Sequence, residues 1–241
     1  MITGASDGIG KCCAVHFAEY GANLILLGRS REKLEEVYDL LQNTGNSSIV
    51  IHPLDFTEAS ESDYTQISKS IGEQFSSLDG LIHNAGMLGA RCPIEYYPTE
   101  TWEKIFKVNS SAIFLLTKYL LPCLRSSPDA RVLITSSSVG RKARGNWGAY
   151  AVSKFAAEGL MQVLSEELEK TSNIRVNSLN PGGIRSNMRR SAYPAEDPSK
   201  IPPPEVLMPL YLYLFSSESQ NIHGEALNFK DFDPSKYGKS V

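Results

Sequence analysis

Cysteine is scarce in this chain. Among 241 residues there are four, Cys12, Cys13, Cys92 and Cys123, scattered in a way that fits no disulfide framework and no metal-ligand spacing. Reduced, packed thiols in a reducing compartment, the cytoplasm, are the expectation. Cys12 and Cys13 would open the first helix, whose positive end lowers a thiol pKa, but packing is the preferred role over redox chemistry. Long hydrophobic runs are also missing, and a bilayer-crossing helix needs about 20 apolar residues. The net charge is only −3, so no basic field points to nucleic acid or an anionic membrane as a partner. No secretory signal, internal repeat, low-complexity tract or second domain is visible in the sequence. Only Met1-Ile2 precede the first glycine cluster, whereas a buried central strand usually has about 5 residues. Either the first strand is a stub or the start is truncated, with an upstream strand or targeting segment lost.

The remainder is ordinary globular sequence, 41% hydrophobic and 21% charged, and its length suits one domain with a substantial core. Helix-like and strand-like patterns alternate. After a first helix over Lys11–Tyr20, strands are expected at Asn23–Leu27, Ser47–Ile51, Leu78–His83, Ala130–Thr135, Ile174–Leu179 and Glu225–Phe229. Helices are expected at Arg31–Gln42, Glu58–Phe75, Thr101–Leu121 (ending near Pro122) and Trp147–Lys170. This order predicts a single α/β domain, a Rossmann-like doubly wound parallel sheet with helices on both faces. Segment 186–209, rich in Pro, Arg and Ser, breaks the rhythm and reads as a substrate loop or lid, poorly ordered until cofactor binds. Residues 230–241 read as a polar tail, loose or lying across a neighbouring subunit.

Two clusters carry chemistry. Thr3-Gly4-Ala5-Ser6-Asp7-Gly8-Ile9-Gly10 is a glycine turn ahead of a helix, where a backbone can approach a pyrophosphate closely and the helix N-terminus favours the anion. Gly4, Ser6, Gly8 and Gly10 would form or flank that turn, with the Ile9 amide at the start of the helix. The second cluster is Ser137, Tyr150 and Lys154. Tyr150 and Lys154 are four apart and so share a helix face. A phenol has an unperturbed pKa of about 10. An ammonium beside it favours the phenolate and makes it a usable proton donor or acceptor. A serine hydroxyl can hydrogen-bond the oxygen that gains charge when hydride adds to a carbonyl. The second strand ends in Gly28-Arg29-Ser30, where selection of NAD would place an acidic residue; a guanidinium there forks onto phosphate and favours NADP(H).

With this spacing, Thr-Gly-x-x-x-Gly-x-Gly followed by Ser137, Tyr150 and Lys154, the chain resembles the short-chain dehydrogenase/reductase family over nearly its whole length. The resemblance implies further roles. Asp55 would lie near the adenine amino group. His83-Asn84-Ala85-Gly86 matches the family's Asn-Asn-Ala-Gly, with His83 in place of the first Asn and more plausible as a satisfied core histidine than as a catalyst. Asn109 would join the Ser/Tyr/Lys group and hold a water linking Lys154 to solvent; alternatively it is a helix-interior Asn satisfying backbone groups. Lys154 would lower the Tyr150 pKa and bind the nicotinamide ribose. Ser137 stands 13 residues before Tyr150, in the family's register, and Ser136 and Ser138 should point elsewhere. Pro181-Gly182 would lie beside the nicotinamide, and Ser186 stands where the family has Thr. The implied activity is NADP(H)-dependent hydride transfer between nicotinamide and a carbonyl or alcohol. A non-catalytic dinucleotide-binding sensor on the same fold is the second reading.

The substrate itself is less legible. Arg141, Lys142, Arg144, Arg185, Arg189 and Arg190 form either a basic rim for an acidic or phosphorylated carbonyl compound or a merely solvated surface, and Trp147 is placed on the pocket wall. Helices 101–121 and 147–170 are apolar on more than one face: Ile105, Val108, Ala112 and Leu116 against Phe106, Ile113 and Leu120 on the first, and Phe155, Leu160 and Val163 on the second, so one face can cover the sheet and leave a surplus. A homodimer or homotetramer through them is the expectation.

Overall fold

The computed structural model describes residues 1–42 and 48–233. The tail from residue 234, and Ser47 at the start of the expected third strand, lie outside the described residues. Among those described, seven strands form one parallel sheet in the order β3-β2-β1-β4-β5-β6-β7. They are β1 (Ile2–Thr3), β2 (Leu24–Gly28), β3 (Ile49–Pro53), β4 (Gly80–His83), β5 (Arg131–Thr135), β6 (Arg175–Asn180) and β7 (Ala226–Asn228). β1 has only two residues. Ile2 and Thr3 pair with Leu26 and Leu27 on one side, and Ile2 with Ile82 on the other.

β2 shows why the sheet is covered on both faces. It is buried throughout, and its residues alternate between two cores. Ile25 and Leu27 pack with Leu81, Val132, Ile134 and Val176. On that side lie α3 (Glu61–Gln74), α5 (Ala112–Arg125) and α6 (Gly148–Glu169). Leu24 and Leu26 face the other way, with Ile82, Leu133 and Leu179, under α1 (Gly8–Glu19), α2 (Arg31–Leu41) and α8 (Met208–Leu214).

Two segments differ from expectation. The helix expected over 101–121 is α4 (Thr99–Phe106), a π-helical segment (Lys107–Ser111) and then α5. α5 continues through Pro122 to Arg125, and fully buried Leu124 anchors its last turn. Segment 186–209 is more ordered than a loop. It holds α7 (Asn187–Ala192), 3-10 turns at Pro198–Lys200 and Pro204–Leu207, and the start of α8. The Ser186 side chain caps α7, and Pro sits at the first positions of both turns and of α8, where no helical N–H bond is lost.

Candidate active site

The sheet order reverses between β1 and β4, and a crevice opens at the carboxyl ends of their strands. There the glycine turn is fixed by its neighbours. Thr3 Oγ1 accepts from the backbone amides of Asn84 and Ala85, both at 3.0 Å, and Asn84 Nδ2 donates to Thr3 O at 3.2 Å. Gly4 and Gly8 have φ of 65° and 50°, the left-handed region that suits glycine. A Cβ at Gly10 would stand 2.2 Å from Gly4 O, so only glycine lets α1 begin this close to the turn. Asp7 Oδ1 caps α1 at the Gly8 amide, 2.7 Å away. The result is a cradle of backbone with a helix N-terminus behind it, which fits a pyrophosphate.

β5 and α6 bring the three expected reactive residues to the same crevice. Ser137, Tyr150 and Lys154 line one cleft of ≈ 650 Å³ together with Gly4, Ser6, Gly8, Ile9, Asp55, Asn84–Gly86, Pro181, Gly182 and Ser186. Gly10 lies beneath the turn rather than in the lining. α6 begins at Gly148, where a Cβ would stand 2.2 Å from the Tyr97 ring, so the helix start can dock only with glycine there. Lys154 Nζ is 5.8 Å from the Tyr150 ring centroid and donates to Thr135 O at 2.6 Å. Burial lowers the Lys154 pKa to about 8, opposed by the Glu158 carboxylate one turn on. Burial also raises the Tyr150 pKa, and a hydrogen bond with Ser137 draws it back. In this arrangement the Lys154 ammonium is turned to Thr135 O.

Asn109 is fully buried in the π-helical segment, a local widening common at functional sites. Its Oδ1 accepts from Met87 N at 2.8 Å, and its Nδ2 donates to Met87 O at 2.9 Å and Ser153 Oγ at 3.0 Å. The amide therefore holds the strand-end segment 84–87 against α6. Both its amide protons are committed. His83 is a core residue: burial lowers its pKa to about 3, and Nε2 lies 2.9 Å from Thr117 Oγ1. Burial also raises the Cys12 pKa to about 12 and holds Cys13 well above the usual thiol range, so packing is their role.

The sequence profile of the short chain dehydrogenases matches residues 1–197. The chain belongs to the short-chain dehydrogenase family. It is therefore an oxidoreductase. The chain is 45% identical over 224 residues to the uncharacterised oxidoreductase YciK of Escherichia coli K12, covering 93% of this chain and 88% of that one. A short chain dehydrogenase of Shigella flexneri 2a, solved with NADP, superposes with a TM-score of 0.91 at 44% identity, covering 94% of both chains. One from E. coli CFT073, solved with NADPH, gives 0.90 at 45% identity, again covering 94% of both.

At the far end of the dehydrogenase's cleft, Arg29 and Ser30 line the wall where they were expected, and Lys33 joins them. Ser30 Oγ caps α2 at Lys33 N, 3.3 Å away, which places Lys33 on the first turn beside Arg29. The spacing Arg29-x-x-x-Lys33 was the available signal for this missed residue. Asp55 Oδ1 accepts from the Thr57 amide and hydroxyl at 2.9 and 2.8 Å. Ser186 is already engaged: its Oγ caps α7 at Arg189 N, 3.1 Å away, and contacts Ile184 O at 3.4 Å. Asn187 Nδ2 donates to Asp7 Oδ2 at 2.5 Å, so α7 bridges the cleft to the glycine turn.

The basic rim does not form. Of its six residues only Arg189 lines the cleft. Arg141 turns inward to a buried carboxylate, Glu158, which it meets through Nε at 2.9 Å. Glu158 also accepts from Ser136 Oγ, and from Ser178 Oγ at 2.7 Å, so Ser136 does point away from the reacting side as its register predicts. Arg141 continues to Asn228 Oδ1 at 2.7 Å and Leu227 O at 2.9 Å. This pair binds β5, β6, β7 and α6 together directly behind Ser137. Only the three-dimensional register of the strands could bring it to light.

Proposed function

We propose that this dehydrogenase is an NADP(H)-dependent carbonyl reductase or alcohol dehydrogenase in which Tyr150 is the proton donor in reduction and acceptor in oxidation. The observation that carries the reading is the placement of Tyr150, Ser137 and Lys154 in one cleft with the backbone cradle of the glycine turn. The cradle would hold the pyrophosphate, Arg29 and Lys33 the 2′-phosphate, Asp55 the adenine side, and Asn84–Gly86, Pro181, Gly182 and Ser186 the nicotinamide end. NADP bound to the Shigella relative and NADPH to the E. coli relative support this choice of cofactor. When bound, the nicotinamide supplies or accepts hydride.

The chain's own residues then have distinct tasks. Ser137 hydrogen-bonds the substrate oxygen and stabilises the charge that develops on it. Tyr150, neutral in its buried setting, delivers its phenolic proton to that oxygen, and Lys154 recharges the site and orients the ribose. Segment 186–209 covers the substrate side, with α7 as its rigid part. Slower hydrogen exchange at 186–200 on adding NADPH is the expected sign of closure. The presence of all three reactive groups in one cleft favours turnover over a non-catalytic sensor. The decisive test is Tyr150→Phe, which keeps the ring and removes the transferable proton. NADPH should still enhance in fluorescence titration, while carbonyl-dependent NADPH oxidation should be lost. Near-normal rates in that variant would overturn the assignment.

A further inference from the structure

The wall beside Tyr150 is apolar, and the charges near it are already committed. Leu88, Trp147, Met188, Ala192 and Tyr193 pack around Tyr150 with Val139 and Ala151. The Trp147 ring centroid is 5.8 Å from that of Tyr150 and 6.0 Å from that of Tyr193. Arg189, the sole member of the expected rim in the lining, gives Nε and Nη2 to the two Glu196 oxygens, both at 2.6 Å, and stacks 3.9 Å over Tyr193. Arg91 does not line the cleft. Its guanidinium lies 4.5 Å over Trp147 and 5.2 Å over Tyr193 and donates to Ala192 O, so it braces the aromatic wall against α7. Lys154 faces Thr135 O at the cleft floor. Arg29 and Lys33 stand with Gly28 and Ser30 at the end of β2.

A carboxylate or phosphate on the substrate would therefore lose water beside Tyr150 without gaining a free cation. A large apolar group there would gain contact with Trp147, Met188 and Leu88. We propose that this site takes an uncharged carbonyl compound bearing an aromatic or similarly bulky apolar group, and rejects anionic carbonyls such as 2-oxo acids and sugar phosphates. This rests on the reductase reading above. The reaction balances: the carbonyl carbon gains the hydride of NADPH, its oxygen gains the Tyr150 proton, and the alcohol and NADP⁺ result.

A matched pair tests it with the purified protein and NADPH. Ethyl benzoylformate and benzoylformate share the same ketone and ring and differ in charge. The ester should exceed the acid in kcat/KM by roughly 100-fold, the discrimination expected when a buried charge is left unpaired. Ethyl pyruvate, which lacks the ring, should be a poorer substrate than ethyl benzoylformate. Trp147→Ala should raise KM for ethyl benzoylformate by about 10-fold or more while NADPH titration stays unchanged, and Trp147→Phe should fall between, which separates a lost wall from a lost fold. An acid reduced as well as its ester, or a KM indifferent to both Trp147 variants, overturns the substrate class and leaves the reductase standing. NADPH binding with no reduction of the ester also overturns it. Failure to bind NADPH overturns the reading beneath it.

Discussion

Arg29 and His83 show how much one side chain decides here. Arg29 is exposed at the end of β2 and lines the cleft beside Lys33. Arg29→Ala should weaken NADPH by about 1.5–3 kcal/mol, the value of a charge-assisted hydrogen bond, and leave NADH little changed. Lys33→Ala should have the same sign and a smaller size, since an ammonium lacks the planar fork. Parallel titrations with both cofactors decide this, and equal NADH and NADPH affinity in the unmodified protein would refute it. His83 bears on acid stability. Its pKa is about 3 in the fold against an ordinary 6.5, with burial the main cause. The folded state therefore resists protonation, while the unfolded chain takes up a proton as pH falls below 6.5. The stability contribution is complete above that pH and is lost progressively toward the folded value. His83→Asn should remove this slope, so that between neutral pH and pH 4 it loses on the order of 3 kcal/mol less than the unmodified protein in urea titrations. Parallel slopes would show that His83 does not titrate in this way.

Between elements, the Glu158–Arg141 pair is the tie that matters. Glu158 on α6 accepts from Ser136 just past β5, from Ser178 of β6 and from Arg141 in the loop after Ser137, and Arg141 carries the connection on to β7. Glu158→Ala leaves a largely buried guanidinium without its carboxylate and should cost about 3–5 kcal/mol. Replacing both residues by apolar ones of similar volume, Glu158→Leu with Arg141→Met, should cost less than the sum of the single changes. A double-mutant cycle by chemical denaturation measures the coupling, and additive losses would show that the two do not act as a pair. The same scale explains the α4–α5 joint. Asn109 turns its amide across to Met87 and Ser153, and the helix widens over Lys107–Ser111 where that residue sits.

For the whole molecule, the relevant surface is the outward face of α5 and α6. On both apolar faces read for 101–121, Ile105, Val108, Ala112 and Leu116 as well as Ile113 and Leu120 are buried in the core, and Phe106 is half-buried. The exposed apolar groups are Phe114 at 50%, Val152 at 44%, Phe155 at 41% and Val163 at 53%. Four such side chains on two adjacent helices invite a symmetric partner. A homodimer or homotetramer at micromolar concentration is the expected result in sedimentation, and Phe114→Glu with Val163→Glu should yield a folded monomer. An unmodified protein that sediments as a monomer would refute the interface.

The family, the alternation of strands and helices, and Ser137, Tyr150 and Lys154 as residues that meet in one cleft were all readable along the chain. Those signals are local: a glycine turn needs its glycines wherever the chain goes, and Tyr150 and Lys154 share a helix face by spacing alone. Element existence was legible for the same reason, because apolar periodicity records which face is buried. Tertiary structure decided what depends on residues far apart in the chain. Arg141 and Arg189 read as surface cations until packing gave each a carboxylate, Glu158 in one case and Glu196 in the other. Ile113 and Phe114 are adjacent in sequence and equally apolar, and only docking against the sheet chose which to bury. Segment 186–209 looked too rich in proline for helix, yet its prolines fall at the starts of turns and helices, where they fit. Charge pairing, face selection and proline placement are set by neighbours that composition and periodicity do not name.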